Sequence, residues 1–238
     1  MHLLDHILAV FFAIGFPVIA TPAYIRRKPA LLRDAPGVRS REYVETIAWL
    51  AAMGVSTVVV WWVYGRAFGD LGLSFRTTWP AFATLGGVLL ATGLLYAQVR
   101  SVTRTPSALD QIREGLAPVR EFLPTTPREL FLFRGVALSA GVGEELFYRG
   151  FLLWYLPHFM PLTVAVVLSS LLFGVGHLGH GVQATVRATL VGGLLAVLYL
   201  VSGSLVASMI LHLAIDLYGG QLGYVSLGDR AEAGGSDA

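Results

Sequence analysis

The sequence contains no cysteine, so disulfide bonds and thiolate chemistry are excluded. Charged residues are also scarce: they make up 13% of the 238 residues, whereas soluble domains carry about 25%. Hydrophobic residues make up 55% of the chain, and the mean hydropathy is +0.67. So few charges cannot cover the surface of a water-soluble protein of this length, and the composition therefore indicates that lipid is the main solvent.

Long apolar stretches divide the chain into candidate membrane helices. A helix that crosses the bilayer needs about 20 mostly apolar residues, and seven stretches qualify fully or marginally. We therefore predict an all-α fold, a polytopic bundle of about seven or eight transmembrane helices without a soluble domain. The stretches are residues 4–24, 44–65, 79–99, 133–155, 161–179, 182–202 and 204–223.

Basic residues indicate how these helices are oriented. Residues 25–43 hold six Lys and Arg and residues 100–134 hold six Arg, whereas the turns near 156–162 and 202–205 hold neither. Because cytoplasmic loops carry an excess of Lys and Arg, we expect both basic segments in the cytoplasm and the N-terminus outside. A loop assigned to the outside carries two arginines, which weakly opposes this topology. The first apolar stretch has its basic residues after it rather than before it, so we expect a retained helix rather than a cleaved signal peptide.

Ionisable side chains inside the last apolar stretches are the most informative feature. Between residues 135 and 228 only five residues are Asp, Glu, Lys or Arg. A charge at the bilayer centre costs about 2.5–3.5 kcal/mol on insertion scales, so such residues persist where they pair, line a wet cavity or take part in chemistry. The five are Glu144, Glu145, Arg149, Arg187 and Asp216, and His177, His180 and His212 lie in or beside the same helices.

Two neighbouring carboxylates lie in the first of these stretches. Glu145 and Arg149 are four residues apart, so on a helix they share a face and can form an ion pair. Glu144 points about 100° away, and without a counter-ion in a poorly hydrated cavity it is suited to general acid–base chemistry. The alternative is an ion-pair network that only holds the bundle together.

The histidines form two further pairs with a spacing of four residues. Phe173 and His177 share one helix face, and His212 and Asp216 share another, where Asp216 can orient the imidazole or share its work. The alternatives are a satisfied core histidine and a private hydrogen bond between His212 and Asp216. His180 is expected in a loop or at the membrane interface.

Together these motifs resemble those of the CaaX-protease and bacteriocin-processing (CPBP, or ABI) family of intramembrane glutamic proteases. They are Glu-Glu-x-x-x-Arg at 144–149, Phe-x-x-x-His at 173–177 and His-x-x-x-Asp at 212–216, and the resemblance covers about residues 130–220. It implies an endopeptidase that acts on a membrane-associated protein or peptide. It implies no metal or other cofactor, and the expected partners are this substrate and the lipid bilayer, not nucleic acid.

The resemblance also implies roles for individual residues. Glu144 would activate the attacking water with help from His212, and His177 and Asp216 would stabilise the oxyanion. Asp216 is a departure, because members that process prenylated CaaX proteins tend to carry Asn there. An ionised Asp would repel an oxyanion, whereas a protonated one could donate to it. Prenylated substrates are therefore less favoured than proteolysis in general. The supporting residues would be Glu145, Arg149 and Phe173.

Domain boundaries and location follow from the same evidence. We predict N-terminal transmembrane helices and a cytoplasmic loop in residues 1–125, a catalytic core in 126–224 and a disordered tail in 225–238. Segment 107–121 is either a surface helix or a solvated linker. Because many bacterial relatives also carry Asp at the last motif position, we expect a bacterial inner membrane, with the active site toward the cytoplasm.

Three other functions stay open at this point. A zinc-dependent membrane protease could use His177, His212 and a carboxylate as ligands, although the sequence has no His-Glu-x-x-His motif. A transporter or proton relay would also place carboxylates and histidines in membrane helices, although no inverted repeat is visible. The third is a non-proteolytic bacteriocin-immunity or scaffold protein.

Overall fold

The structure, a computed structural model, describes residues 1–74, 76–102 and 106–233. Over these ranges the chain folds into eight helices, and it contains no β-strand there. The prediction of an all-α bundle is confirmed. The helices are α1 (Leu3–Leu32), α2 (Val38–Val63), α3 (Trp79–Val102), α4 (Pro106–Leu116), α5 (127–155), α6 (Leu162–Val175), α7 (Val182–Ser202) and α8 (Leu205–Ala233).

All seven predicted apolar stretches are helical. Five helices are long and apolar enough to cross a membrane: α1, α2, α3, α7 and the part of α8 from Leu205 to Gly228. Helix α6 is apolar but shorter. Helix α5 begins with Arg128, Glu129 and Arg134, so its first two turns are more polar than the others.

A buried ion pair fastens the start of α1 to the bundle. The Asp5 side chain is fully buried, and its two oxygens accept hydrogen bonds of 2.8 and 2.6 Å from the Arg66 guanidinium. That guanidinium also lies over the rings of Trp61 and Trp154, at 5.2 and 4.3 Å from their centroids. Arg66 is one of the two arginines, with Arg76, in the loop that the topology assigns to the outside, and it therefore has a structural partner on α1.

Close contact between α2 and α5 brings the motif into the bundle. The α carbon of Gly143 lies against Gly54 and the Leu50 carbonyl, where a side chain at residue 143 would have no room. Small residues let membrane helices approach in this way. Gly143 therefore holds the following residue, Glu144, at a helix interface.

Helix α5 is not a regular α-helix at the motif. Residues Glu145–Phe151 form a π-helical segment, and every one of them is buried. Such segments are rare and often mark functional sites. The 3.6-residue periodicity assumed from the sequence therefore does not hold in this turn.

The predicted disordered tail differs from the structure. Helix α8 continues to Ala233, and residues 234–238 lie outside the described part of the chain. The continuation is explained by helix α4, because Arg113 donates a 2.5 Å hydrogen bond to the carbonyl of the buried Ser226. Residues 106–116 are thus a packed helix, as the surface-helix alternative predicted for segment 107–121.

We predict that Asp5→Ala lowers the free energy of unfolding by about 3 kcal/mol, because it leaves a largely buried guanidinium without its carboxylate. Arg41→Gln is the matched control, since Arg41 pairs with Glu45 on the surface of α2 with 81% of its side chain exposed. The control should change stability by no more than about 0.5 kcal/mol. Unfolding of both variants in detergent micelles measures this, and equal losses would contradict a stabilising role of the Asp5–Arg66 pair.

Candidate active site

The motif residues meet around one buried carboxylate oxygen. Oε1 of Glu145 accepts a 2.7 Å hydrogen bond from Nη1 of Arg149 and lies 2.8 Å from Nδ1 of His212. All three side chains are buried. The ion pair predicted from the spacing of four residues is present, and it joins α5 to α8 through the histidine.

Arg149 extends the same cluster to two more helices. Its Nη2 donates a 3.1 Å hydrogen bond to the carbonyl of Gly192 on α7. Its guanidinium lies 4.4 Å from the centre of the Phe173 ring on α6, an arrangement that favours cation–π attraction. Phe173 therefore supports the arginine rather than facing the reacting groups.

Glu145, not Asp216, orients the His212 imidazole. Nε2 of His212 lies 3.7 Å from Oδ2 of Asp216, which is too long for a hydrogen bond. The private His212–Asp216 hydrogen bond considered from the sequence is therefore absent. Spacing within one helix could not reveal that the stronger partner lies on a different helix.

Contacts of His212 define where its protons lie. Glu145 pairs with a guanidinium and acts as an acceptor, so Nδ1 of His212 carries a proton. Nε2 faces Oε2 of Glu144 at 3.5 Å and Oδ2 of Asp216 at 3.7 Å. A bare nitrogen lone pair would repel both carboxylates. A proton must therefore lie on Nε2 or on one of these two carboxyl groups.

His177 has a different proton arrangement. It lies in the turn after α6, and its Nδ1 is 3.0 Å from the carbonyl oxygen of Phe173. A carbonyl only accepts hydrogen bonds, so Nδ1 carries the proton. In the neutral ring Nε2 then offers a lone pair, and His177 can donate from Nε2 only as the imidazolium.

A cavity of about 390 Å³ gives access to these groups. Glu144, His177 and Asp216 line it, and so do Arg27 and Glu42. The side chains of Glu144 and Asp216 are 14% and 31% exposed, so both remain accessible from the cavity. A peptide bond placed there would meet the first three groups, with the His212 ring against the carboxylates.

His180 also lines this cavity, which sequence reasoning missed. Its ring packs against Tyr24 and Phe122, with centroids 4.6 and 4.9 Å away, and its buried Nδ1 has no hydrogen-bond partner among the described residues. Burial and the neighbouring His177 lower the pKa of His180 to about 3, so the ring is neutral. Its place three residues after His177 in a glycine-rich turn was the available signal.

The zinc alternative requires His177, His212 and a carboxylate to converge within bonding distance of one ion. Within the ranges that the structure covers, no group of three or more His, Asp or Glu side chains is arranged to hold a metal ion.

The fold and site define a helical membrane protein with a buried carboxylate–histidine centre, and comparison with known families agrees. Residues 126–218 match the family model described as "Type II CAAX prenyl endopeptidase Rce1-like". The CPBP family indicated by the motifs is thus confirmed for this part of the chain, which is a protease-family domain of an integral membrane protein. Comparisons with curated proteins and with solved structures gave no significant match.

We predict that Arg149→Met lowers the free energy of unfolding by about 3–5 kcal/mol, because it leaves the Glu145 carboxylate buried without its strongest cation. The double variant Arg149→Met/Glu145→Gln should lose less, because it buries no unpaired carboxylate and its amide oxygen still accepts from His212. Unfolding of the single and double variants in detergent tests this. A double variant less stable than the single one would contradict the assignment.

Proposed function

We propose that the protein is an intramembrane endopeptidase that hydrolyses a peptide bond of a membrane-associated protein or peptide, with water activated by Glu144 as the nucleophile. The observation that carries the proposal is the convergence of Glu144, His177 and Asp216 on one cavity, with His212 held against the carboxylates. Amide hydrolysis needs a base for water, donors for the oxyanion and a proton for the leaving amine. This set supplies all three.

Glu144 is the base in this scheme. Its carboxylate accepts a proton from water as the water oxygen bonds to the peptide carbonyl carbon. When the tetrahedral intermediate collapses, the C–N bond breaks and Glu144 returns that proton to the leaving amine. The lone pair at Nε2 of His177, fixed by the Phe173 carbonyl, suits this residue to assist the water.

His212 and Asp216 are the proposed oxyanion donors. His212 has three carboxyl groups within 4 Å, and their negative charge favours the imidazolium, which donates from Nε2. The family resemblance implied the reverse, with His212 assisting the water and His177 stabilising the oxyanion. The roles are exchanged because Nδ1 of His177 contacts a carbonyl oxygen, whereas Nδ1 of His212 contacts a carboxylate.

A charge count supports a protonated Asp216. The site contains three acidic side chains, Glu144, Glu145 and Asp216, and two cations, Arg149 and the His212 imidazolium. One proton on Asp216 leaves two negative and two positive charges. Balanced charge is favoured at a buried site, since an unpaired buried charge is strongly destabilising. A neutral Asp216 can then donate to the oxyanion, the role that Asn would have at this position.

The basic segment that reaches the cavity supports a location. Arg27 lines the cavity and belongs to residues 25–43, whose excess of Lys and Arg is typical of cytoplasmic loops. We propose that the site faces the cytoplasmic side of a bacterial inner membrane, with a membrane-anchored polypeptide and the bilayer as partners and no nucleic acid. We also propose that the reaction needs no metal cofactor.

We predict that Glu144→Gln lowers cleavage of membrane-anchored peptides by about 10²–10⁴-fold, the usual contribution of a general base, with unchanged thermal stability. The assay uses purified protein in detergent with a peptide library, with and without a strong chelator, and identifies products by mass spectrometry. An active Glu144→Gln variant would refute the mechanism. Cleavage lost on chelation would favour the zinc protease, and no cleavage by the wild type would favour the immunity or scaffold alternative.

We predict that Asp216→Asn keeps cleavage within about tenfold of the wild type, because the amide can donate to the oxyanion, whereas Asp216→Ala loses about 10²–10³-fold. Measured kcat values for the same peptide compare the two variants. If Asn were as inactive as Ala, Asp216 would act through its charge, and the donor role would be wrong.

A further inference from the structure

The second half of α1, residues 16–32, forms one wall of the active-site cavity. Phe16, Ala20, Ala23 and Arg27 recur every three or four residues and face the cavity, as expected for one side of a helix. Residues of the first half of α2 and of α5 also line the cavity, and the α5 side, which carries Glu144, is here called its floor. The space between these halves of α1 and α2 is here called the slot.

Two contacts bridge this slot. One is apolar: the rings of Phe16 and Trp49 lie 5.2 Å apart. The other is ionic: the Arg27 guanidinium donates hydrogen bonds of 2.6 and 3.0 Å to Glu42 and lies 3.4 Å from Glu45. These ion pairs of Arg27, here called the latch, join α1 directly to α2.

Polar contacts also hold the wall to the segment before α5. Lys28 forms a 2.7 Å ion pair with the buried Glu121, and the Tyr24 hydroxyl donates a 3.2 Å hydrogen bond to the same carboxylate. The Tyr24 ring also packs against Phe122, with centroids 6.2 Å apart, so side-chain contacts attach this half of α1 to the segment before α5.

Helix α1 is irregular at the boundary between its first half and the second half that lines the cavity. Residues Phe11–Gly15 form a π-helical segment, and Pro22 and Pro29 interrupt the hydrogen-bond ladder beyond it. Both features are recognised causes of helix bending. Before them, α1 is anchored by the Asp5–Arg66 pair and by the buried side chains of Leu8 and Ala9. A fixed first half and a separately held second half are thus joined at residues 11–15.

The floor of the cavity lacks this freedom. Gly143 of α5 lies against the backbone of α2, so the two helices cannot separate without losing close backbone packing. Of these three walls, the second half of α1 is the one held to its neighbours mainly by side-chain contacts.

An endopeptidase substrate continues on both sides of the bond that is cut, so it must lie in an open slot rather than a bridged cavity. We propose that the second half of α1 is a movable gate, and that the latch between Arg27 and Glu42 must open before a membrane-anchored polypeptide can reach Glu144. The claim that this movement admits the substrate rests on the proposed function. The movement of α1 itself does not, and it can be measured separately.

Thiol labelling tests the movement without any activity assay. The chain has no cysteine, so Ala140→Cys places a single thiol on the cavity floor, one turn from Glu144. In this background Arg27→Gln opens the latch, and Arg33→Gln is the control, because it removes an exposed arginine at the end of the same helix that bonds the Pro29 carbonyl of α1. We expect Arg27→Gln to raise the rate of labelling by a water-soluble maleimide about fivefold. The Arg33→Gln control should match the Ala140→Cys parent. Equal labelling rates for the two variants would contradict the proposal that opening the latch lets the second half of α1 move.

A reversible lock tests its role in substrate entry. Arg27→Cys/Glu42→Cys, treated with a short bifunctional thiosulfonate, ties α1 to α2. We expect the locked protein to lose cleavage of a membrane-anchored peptide and to regain it after reduction, whereas each single-cysteine variant treated in the same way stays active. Full activity of the locked protein would contradict the claim that the substrate enters between α1 and α2. Failure of the proposed function would be distinguishable, because the untreated protein would then be inactive while the labelling result still stood.

Discussion

The proposed active site depends on one buried oxygen atom, Oε1 of Glu145, which interacts with both Arg149 and His212. Its loss of hydration is offset by these two charge-assisted hydrogen bonds. Through them α5 is joined to α8, and the guanidinium continues to the Gly192 carbonyl on α7 and the Phe173 ring on α6. Four helices, three of which carry the motifs, are therefore positioned relative to each other by a single carboxylate, which itself does not need to touch the substrate.

Adjacent glutamates with the same side chain acquire different properties from this arrangement. Glu145 begins the π-helical segment, is fully buried and is neutralised by Arg149. Glu144 is the last residue before that segment and faces the cavity, with Nε2 of His212 3.5 Å away. Environment rather than residue type separates the structural carboxylate from the one available for chemistry, a pattern known from other pairs of acidic residues in active sites.

Spacing along the chain predicted what lies on one helix and could not predict what lies between helices. The seven apolar stretches follow from local composition, and the Glu145–Arg149 pair follows from a spacing of four residues. The stretches are helical in the structure, and the ion pair is present. The partner of His212 was predicted one turn away at Asp216, but it is Glu145 on another helix, because packing brings α5 and α8 together. The π-helical segment and the helical continuation past residue 225 also depend on tertiary contacts, the latter on Arg113 and Ser226.

Residues 1–125 carry no motif, and the family match begins only at residue 126, yet α1 and α2 supply two walls of the cavity. The proposed reacting groups thus come from one part of the chain, and much of the surface that a substrate would contact comes from another. The hydrogen bonds of the Glu145 cluster involve residues of α5, α7 and α8, so substitutions of cavity-facing side chains in α1 and α2 can alter which polypeptides enter without removing any of these bonds. Determinants of selectivity are therefore expected in a part of the chain that carries no motif.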